Sequence, residues 1–231
     1  QRADPTPRPH DLSNSCSTHC YGLNMQALQS SLFDTADSPT LGDLARRHRR
    51  YLDGTAWVDL LPGWACGSDE VLDALLHDVP WRAERRRMYD SVVDVPRLTC
   101  FYAAGESLPH PLLTEMREQL SAHYATELGE PFVTAGLCLY RDGQDSVAWH
   151  GDRIGRSREQ DTMIAIVSIG SPRTLALRPV GGGQSLRFQI GHGDLLVMGG
   201  SCQRTWEHAV PKTTKSVGPR ISIQFRPYNV R

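Results

Sequence analysis

The chain has 231 residues, 39% of them apolar, enough to bury a real core in one domain with a tail. A net charge of −1 gives no global reason to bind a polyanion, so contact with nucleic acid has to come from local patches. No apolar run approaches the roughly 18 residues that cross a bilayer, and six cysteines at irregular spacing make no small disulfide framework, so no membrane partner and a cytoplasmic home are expected.

Residues 1–38 are rich in Pro, Ser, Thr, Asp and Asn and read as a flexible N-terminal extension, with Met25 a candidate natural start. Cys16, His19 and Cys20 suggest zinc, but no second ligand pair follows at matching spacing. The folded domain is expected over 39–231. Thr40 to Leu52 reads as a basic helix, with Thr40 as N-cap, Leu41, Leu44 and Tyr51 apolar, and Arg46 to Arg50 a solvated face. Trp57 to Leu61 reads as a strand ended by Pro62-Gly63. Ser68 then caps a helix that turns Val71, Leu72, Leu75 and Leu76 inward.

From Trp81 to Tyr102 arginines and aromatics interleave around Arg85-Arg86-Arg87. That mixture suits a surface pairing with phosphates and stacking on bases, or equally an edge hairpin with solvent-facing arginines. A helix is expected from Pro111 to Leu128, with Leu113, Met116, Leu120, Tyr124 and Leu128 on one stripe and Gly129-Glu130-Pro131 as its stop. From Thr134 to Arg226 short strands and turns alternate, which together with the N-terminal helices implies an α+β fold.

Within that region His150-Gly151-Asp152 follows an extended run, so the imidazole and the carboxylate lie two residues apart on one strand face. Alone the pair is an ordinary accident of composition, and a metal would need a third ligand from elsewhere. Thr162 to Ile169 is a buried strand, Thr174–Arg178 and Ser185–Ile190 flank the Gly181-Gly182-Gly183 turn, and Leu195 to Met198 is another strand. His208 follows it and is available as the third ligand. The last strand, bracketed by Pro219 and Pro227, alternates strictly, with Arg220, Ser222, Gln224 and Arg226 on one face and Ile221, Ile223 and Phe225 on the other. The arginine face is either wet or lines a pocket for a dianion, since guanidinium forks pair with carboxylates.

His150-Gly151-Asp152, His208, and Arg220 with Arg226, in that order and spacing, resemble the signature of the AlkB family of Fe(II)/2-oxoglutarate-dependent dioxygenases. The likeness runs from about Trp57 to Arg226 and is strongest from Tyr140 onward. It implies a double-stranded β-helix (jelly roll) with a core over about 134–227, helices packed on one sheet, and an N-terminal lid over about 81–110 that contacts the substrate. It further implies Fe(II) held by His150, Asp152 and His208, with 2-oxoglutarate and O2 as cosubstrates. Arg220 would pair with the far carboxylate of 2-oxoglutarate, Tyr140 would donate a hydrogen bond to it, Ser222 would contribute another, and Arg226 would steady its near carboxylate.

The implied reaction is oxidative dealkylation of N-alkylated bases, a DNA repair activity releasing aldehyde, succinate and CO2, with a monomer acting on alkylated DNA or RNA and DNA favoured. The alternative is the same chemistry on a protein or small molecule. Tyr89, Arg97 and Tyr102 in the lid, and Arg153 after the metal-binding aspartate, are the substrate candidates. Three positions depart from the family pattern: Cys138 and Ser222 stand where asparagines are usual, and Ile154 stands where many members carry an acidic residue that reads the damaged base. Serine can still donate one hydrogen bond, whereas isoleucine can accept none.

Overall fold

The computed structural model describes residues 39–88 and 91–230, with side chains throughout except at 84–88 and 91–94. The stretch with Cys16, His19, Cys20 and Met25, and the substrate candidate Tyr89, lie outside the described residues. In chain order the strands are β1 (Thr40–Leu41), β2 (His48–Tyr51), β3 (Ala56–Leu61), β4 (Ala65–Cys66), β5 (Arg82–Met88), β6 (Ser91–Tyr102), β7 (Thr134–Tyr140), β8 (Val147–His150), β9 (Ile164–Gly170), β10 (Arg173–Pro179), β11 (Leu186–Ile190), β12 (Asp194–Gly200), β13 (Trp206–Val210) and β14 (Arg220–Arg226). The helices are α1 (Asp69–Asp78), α2 (Pro111–His123), α3 (Ala125–Leu128) and the single turn α4 (Cys202–Thr205).

Eight strands form one sheet in the order β2-β3-β12-β9-β14-β7-β6-β5, and four form a second in the order β11-β10-β13-β8. Alternation along the central strands decides what each face of the large sheet touches. Leu137, Leu139, Val167, Ile169, Ile221, Ile223 and Phe225 pack with α1 and α2 through Val71, Leu75, Leu113, Met116 and Leu120. Their neighbours Cys138, Tyr140, Ile164, Ile166, Leu196 and Met198 turn the other way and meet Leu175, Leu177, Phe188, Ile190 and Val210 of the small sheet. This is the expected jelly roll with helices on one sheet, and the space between the sheets is where the polar face of β14 has to go.

The basic helix expected over Thr40 to Leu52 is absent: the segment forms β1, a 3-10 turn at Leu44–Arg46 capped by Asp43, and β2. A period of two wins here because it puts Arg47 and Arg49 together on Asp59, which is 1% exposed and receives an arginine Nε at 2.8 Å from each. Arg49 also covers the Trp57 ring, its guanidinium carbon 3.6 Å from the ring centroid. The run is therefore partly buried in an ion-pair cluster rather than a solvated helix face.

Two smaller expectations also change. The helix from Pro111 breaks at Tyr124 into α2 and α3, ending on Gly129 with φ 75°. Ser68 occupies the N-cap position of α1, but its hydroxyl turns to His192 and makes no capping bond. His192 Nδ1 accepts from Gly170 N–H, so its ring hydrogen sits on Nε2 and is donated to Ser68. The segment after Trp81 is a hairpin, β5 with β6, that extends the large sheet at its edge beyond β7.

Candidate metal centre

The small sheet brings the two histidines together. His208 on β13 is the direct antiparallel partner of His150 at the end of β8, and their ring centroids lie 4.2 Å apart. Asp152, two residues past β8, sends Oδ1 to 3.7 Å from His150 Nε2. One ligand atom from each of the three lies within 4.8 Å of the others, and this is the only such cluster among the described residues. Asp152 and His208 are buried, while the His150 side chain is 37% exposed, so the cluster opens to solvent on the His150 side.

His150 Nδ1 is 2.8 Å from the Ala148 carbonyl, which can only accept, so Nδ1 carries a hydrogen and Nε2 is the nitrogen left to ligate. Burial pushes His208 down to about 3, helped by His150 and opposed by Asp152, so this ring is neutral at pH 7. Burial alone would raise the Asp152 carboxyl, but the Arg226 guanidinium, by its charge and its hydrogen bonds, outweighs it and holds the group well below the usual carboxylate range. Two imidazoles and one carboxylate on a common point are a donor set that fits Fe(II).

Arg226 donates to Asp152 Oδ2 from Nε at 2.9 Å and Nη2 at 2.7 Å, and Nη2 also reaches Gln224 Oε1 at 2.6 Å. The resemblance implied a cosubstrate contact for this arginine; the structure seats two of its nitrogens on the aspartate. The backbone of Asp152 is fixed at both ends, its N–H donating to Gln203 Oε1 at 3.1 Å and its carbonyl accepting from Ser157 Oγ.

The large sheet supplies the second group. Arg220 on β14 is opposite Tyr140 on β7, and its Nε donates to Ser168 Oγ of β9 at 2.7 Å. Arg220 is 2% exposed, yet its Nη1 is buried without any hydrogen-bond partner. A buried guanidinium nitrogen left unmatched fits an anionic ligand, and a carboxylate is the shape it prefers. Burial first, then Cys138, pushes the Tyr140 phenol up to about 12, against the pull of Arg220, Arg97 and Arg173. Tyr140 is thus a neutral donor at pH 7. Ser222 sits in register between Cys138 and Ser168 and accepts from Gln224 Nε2 at 3.3 Å.

The substrate candidates divide. Arg97 is one residue before Leu98, the partner of Leu139, and its charge acts on both Tyr140 and His208, so it lies beside the cluster. Tyr102 pairs with Ala135 at the far end of β6 and packs against the helix-side core, so the structure does not bring it to the centre. Tyr102 stands five positions from Arg97 along the strand, an odd offset that puts it on the opposite face. Arg153 folds back, its Nε on the Gln203 carbonyl at 3.2 Å and its Nη2 3.8 Å from Glu207. Ile154 is 69% exposed.

Three residues at the centre had not been singled out. Gln224 stood on the alternating arginine face and could have been read with it. Ser168 is the one hydroxyl inside the aliphatic run Ile164 to Ile169, a recognisable signal. Gln203, on the turn α4, left no pattern at all.

The family model described as the 2OG-Fe(II) oxygenase superfamily matches residues 68–226. Among curated relatives, the chain is 31% identical over 198 residues to an alpha-ketoglutarate-dependent dioxygenase, alkB homolog 3, of Homo sapiens, covering 75% of this chain and 66% of that protein. It is 29% identical over 192 residues to the DNA oxidative demethylase ALKBH2 of Arabidopsis thaliana, covering 67% of this chain and 60% of that one. The chain thus spans just under two thirds of the length of these relatives. Among solved structures, OsALKBH1 superposes with a TM-score of 0.55 at 13% identity, over 77% of this chain and all of that one, a likeness of fold.

Proposed function

We propose, because this chain belongs to the 2OG-Fe(II) oxygenase superfamily, that it oxidatively dealkylates N-alkylated bases in nucleic acid, DNA in particular. His150, Asp152 and His208 would hold Fe(II), and Arg220 would hold the far carboxylate of 2-oxoglutarate. Bound there with O2, the iron and 2-oxoglutarate would supply the oxidation, one oxygen atom going into succinate as CO2 is lost and the other to the N-alkyl carbon, which would leave as aldehyde. The observation that carries the reading is the convergence of the three ligand atoms within 4.8 Å.

The chain's own residues do the rest. Arg220 Nη1 offers an unspent donor to a dianion, and Ser168 fixes that guanidinium from behind at Nε. Tyr140 covers it, the guanidinium carbon 5.3 Å from the ring centroid, and keeps its proton to donate. Arg226 holds Asp152 ionised and turned toward the histidines. Leu175, Leu177, Ile166 and Leu196 belong to the apolar core packed between the two sheets. All these residues come from one chain, so a monomer suffices.

Nucleic acid as the substrate is supported by the two relatives, one of them named as a DNA oxidative demethylase, and by Arg97 beside the cluster. A base inside a duplex must be unstacked to reach the centre, at a cost of a few kcal/mol that is least for a damaged base. The test is a panel of methylated and etheno-bridged oligonucleotides, single and double stranded, incubated with Fe(II) and 2-oxoglutarate. Succinate formed in step with loss of the alkyl group, and lost in His208→Ala, supports the proposal. Cosubstrate turnover that no alkylated oligonucleotide stimulates would move the substrate to a protein or small molecule.

A further inference from the structure

We infer that Gln203 is a positioning residue for the metal: it sets the spacing between the Asp152 carboxylate and the His208 ring. The inference rests on the metal reading above and extends it to a side chain that touches none of the three proposed ligand atoms. Gln203 is 1% exposed. It meets three consecutive residues of the aspartate loop. Its Oε1 accepts from Asp152 N–H at 3.1 Å, and its backbone carbonyl accepts from Arg153 Nε at 3.2 Å. The same carbonyl lies 2.8 Å from the point a side-chain carbon on residue 151 would occupy, so the approach requires Gly151.

The location of Gln203 gives these contacts their meaning. It belongs to α4, Cys202–Thr205, which runs without a break into β13, Trp206–Val210, the strand that carries His208. The aspartate and this histidine are 56 positions apart in the chain, and the β8–β13 pairing that joins His150 to His208 stops two residues short of Asp152. Gln203 closes that gap with one side chain: it is anchored five residues before His208 and hydrogen-bonded to the residue that carries the carboxylate. Its remaining donor, Nε2, meets only Met198 Sδ at 3.7 Å, a weak acceptor, so the amide is oriented chiefly by Asp152. Ser157 holds the other side of the same residue through the Asp152 carbonyl, leaving the backbone little freedom to rotate the carboxylate.

Removing the amide while keeping the volume isolates this role. Gln203→Met fills the same space without an acceptor for Asp152 N–H, and Gln203→Glu restores one. The full chain is titrated with Co(II) as a spectroscopic substitute, reading both affinity and the ligand-field bands of the bound ion, alongside thermal unfolding of the metal-free protein and titration of Co(II)-loaded protein with 2-oxoglutarate. The expected result is Co(II) affinity lower by about 10- to 100-fold in Gln203→Met, the range seen when a partner of a metal ligand is removed, with shifted bands and recovery of both in Gln203→Glu. Metal-free unfolding should move far less than the affinity does. Wild-type affinity and bands in Gln203→Met would overturn the inference, as would an affinity loss matched by collapse of the metal-free protein in both variants. Wild-type protein and His208→Ala run in parallel separate this failure from that of the metal reading: if those two bind Co(II) alike, the centre itself is misassigned.

Discussion

Arg226 grips one oxygen of Asp152 twice. Nε and Nη2 donate to Oδ2 at 2.9 and 2.7 Å, while Oδ1 stays free and faces His150 Nε2 at 3.7 Å. The carboxylate is divided between a structural oxygen and a ligating one. Two directed donors pin that oxygen in place, which a single point charge does less well.

Arg226→Lys and Arg226→Met should therefore separate charge from geometry. Lysine keeps the positive charge but offers no fork, so metal affinity should fall several-fold; methionine removes both and should cost about 10- to 100-fold. Calorimetric titration with Co(II) measures it. Equal affinities in the two variants would mean that orientation of Asp152 contributes nothing.

Arg220 presents the opposite balance. Its charge is buried, Nη1 is unpartnered, and burial pulls its pKa down. An uncompensated buried cation is a burden on the empty protein and an asset only when a dianion arrives. Arg220→Met should leave metal-free thermal stability unchanged or higher, and weaken 2-oxoglutarate binding by about 10- to 100-fold, from the roughly 1.5–3 kcal/mol of a charged hydrogen bond. Differential scanning of both proteins with and without 2-oxoglutarate tests both halves. A variant that is less stable when empty would contradict the assignment.

Much of the centre was legible because strands write their faces into the sequence. The alternation in Arg220 to Arg226 anticipated a polar face and an apolar one, and the structure places both. His150 and Asp152 were visible as neighbours for the same reason. The basic run at Arg46 to Arg50 misled because its arginines fit either a helix face or a strand, and the deciding partner, Asp59, sits on the next strand where local pattern has no access to it. Gln203 was illegible for a related reason: a single helical turn has no period to detect, and its contacts with the aspartate loop lie about 50 positions away in the chain.

Asp59 offers a test of the fold that leaves the metal centre alone. It accepts from Arg47, from Arg49 through two nitrogens, and from the Tyr124 hydroxyl at 2.9 Å, tying β2 and α2 to β3. Burial would raise its pKa, but the hydrogen bonds from Arg49 and Tyr124 outweigh it and the net shift is downward. A depressed carboxyl stabilises above its unfolded pKa near 4 and loses that contribution as pH falls through the lower folded value. Asp59→Asn should thus cost on the order of 2 kcal/mol at neutral pH, since the arginines are partly exposed. Urea unfolding should show that gap constant down to about pH 5 and closing below about pH 4. A gap that widens in acid would reverse the sign of the argument.

Gly136 tests the Arg226 geometry from the other side. A side-chain carbon there would stand 2.9 Å from Arg226 Nη1, closer than unstrained contacts allow. The guanidinium cannot swing clear freely, because Nε and Nη2 are committed to Asp152 and Nη2 also to Gln224. Gly136→Ala should therefore act through that arginine, with an overpacking cost of about 1–3 kcal/mol and a several-fold loss of Co(II) affinity as Asp152 is pushed off its orientation. In Arg226→Met the methionine is flexible enough to yield, so adding Gly136→Ala to it should cost less than it does in the wild type. Urea midpoints and Co(II) titrations of the four proteins form a double-mutant cycle. Strict additivity would show that the alanine is accommodated elsewhere and that the guanidinium was not held where the hydrogen bonds put it.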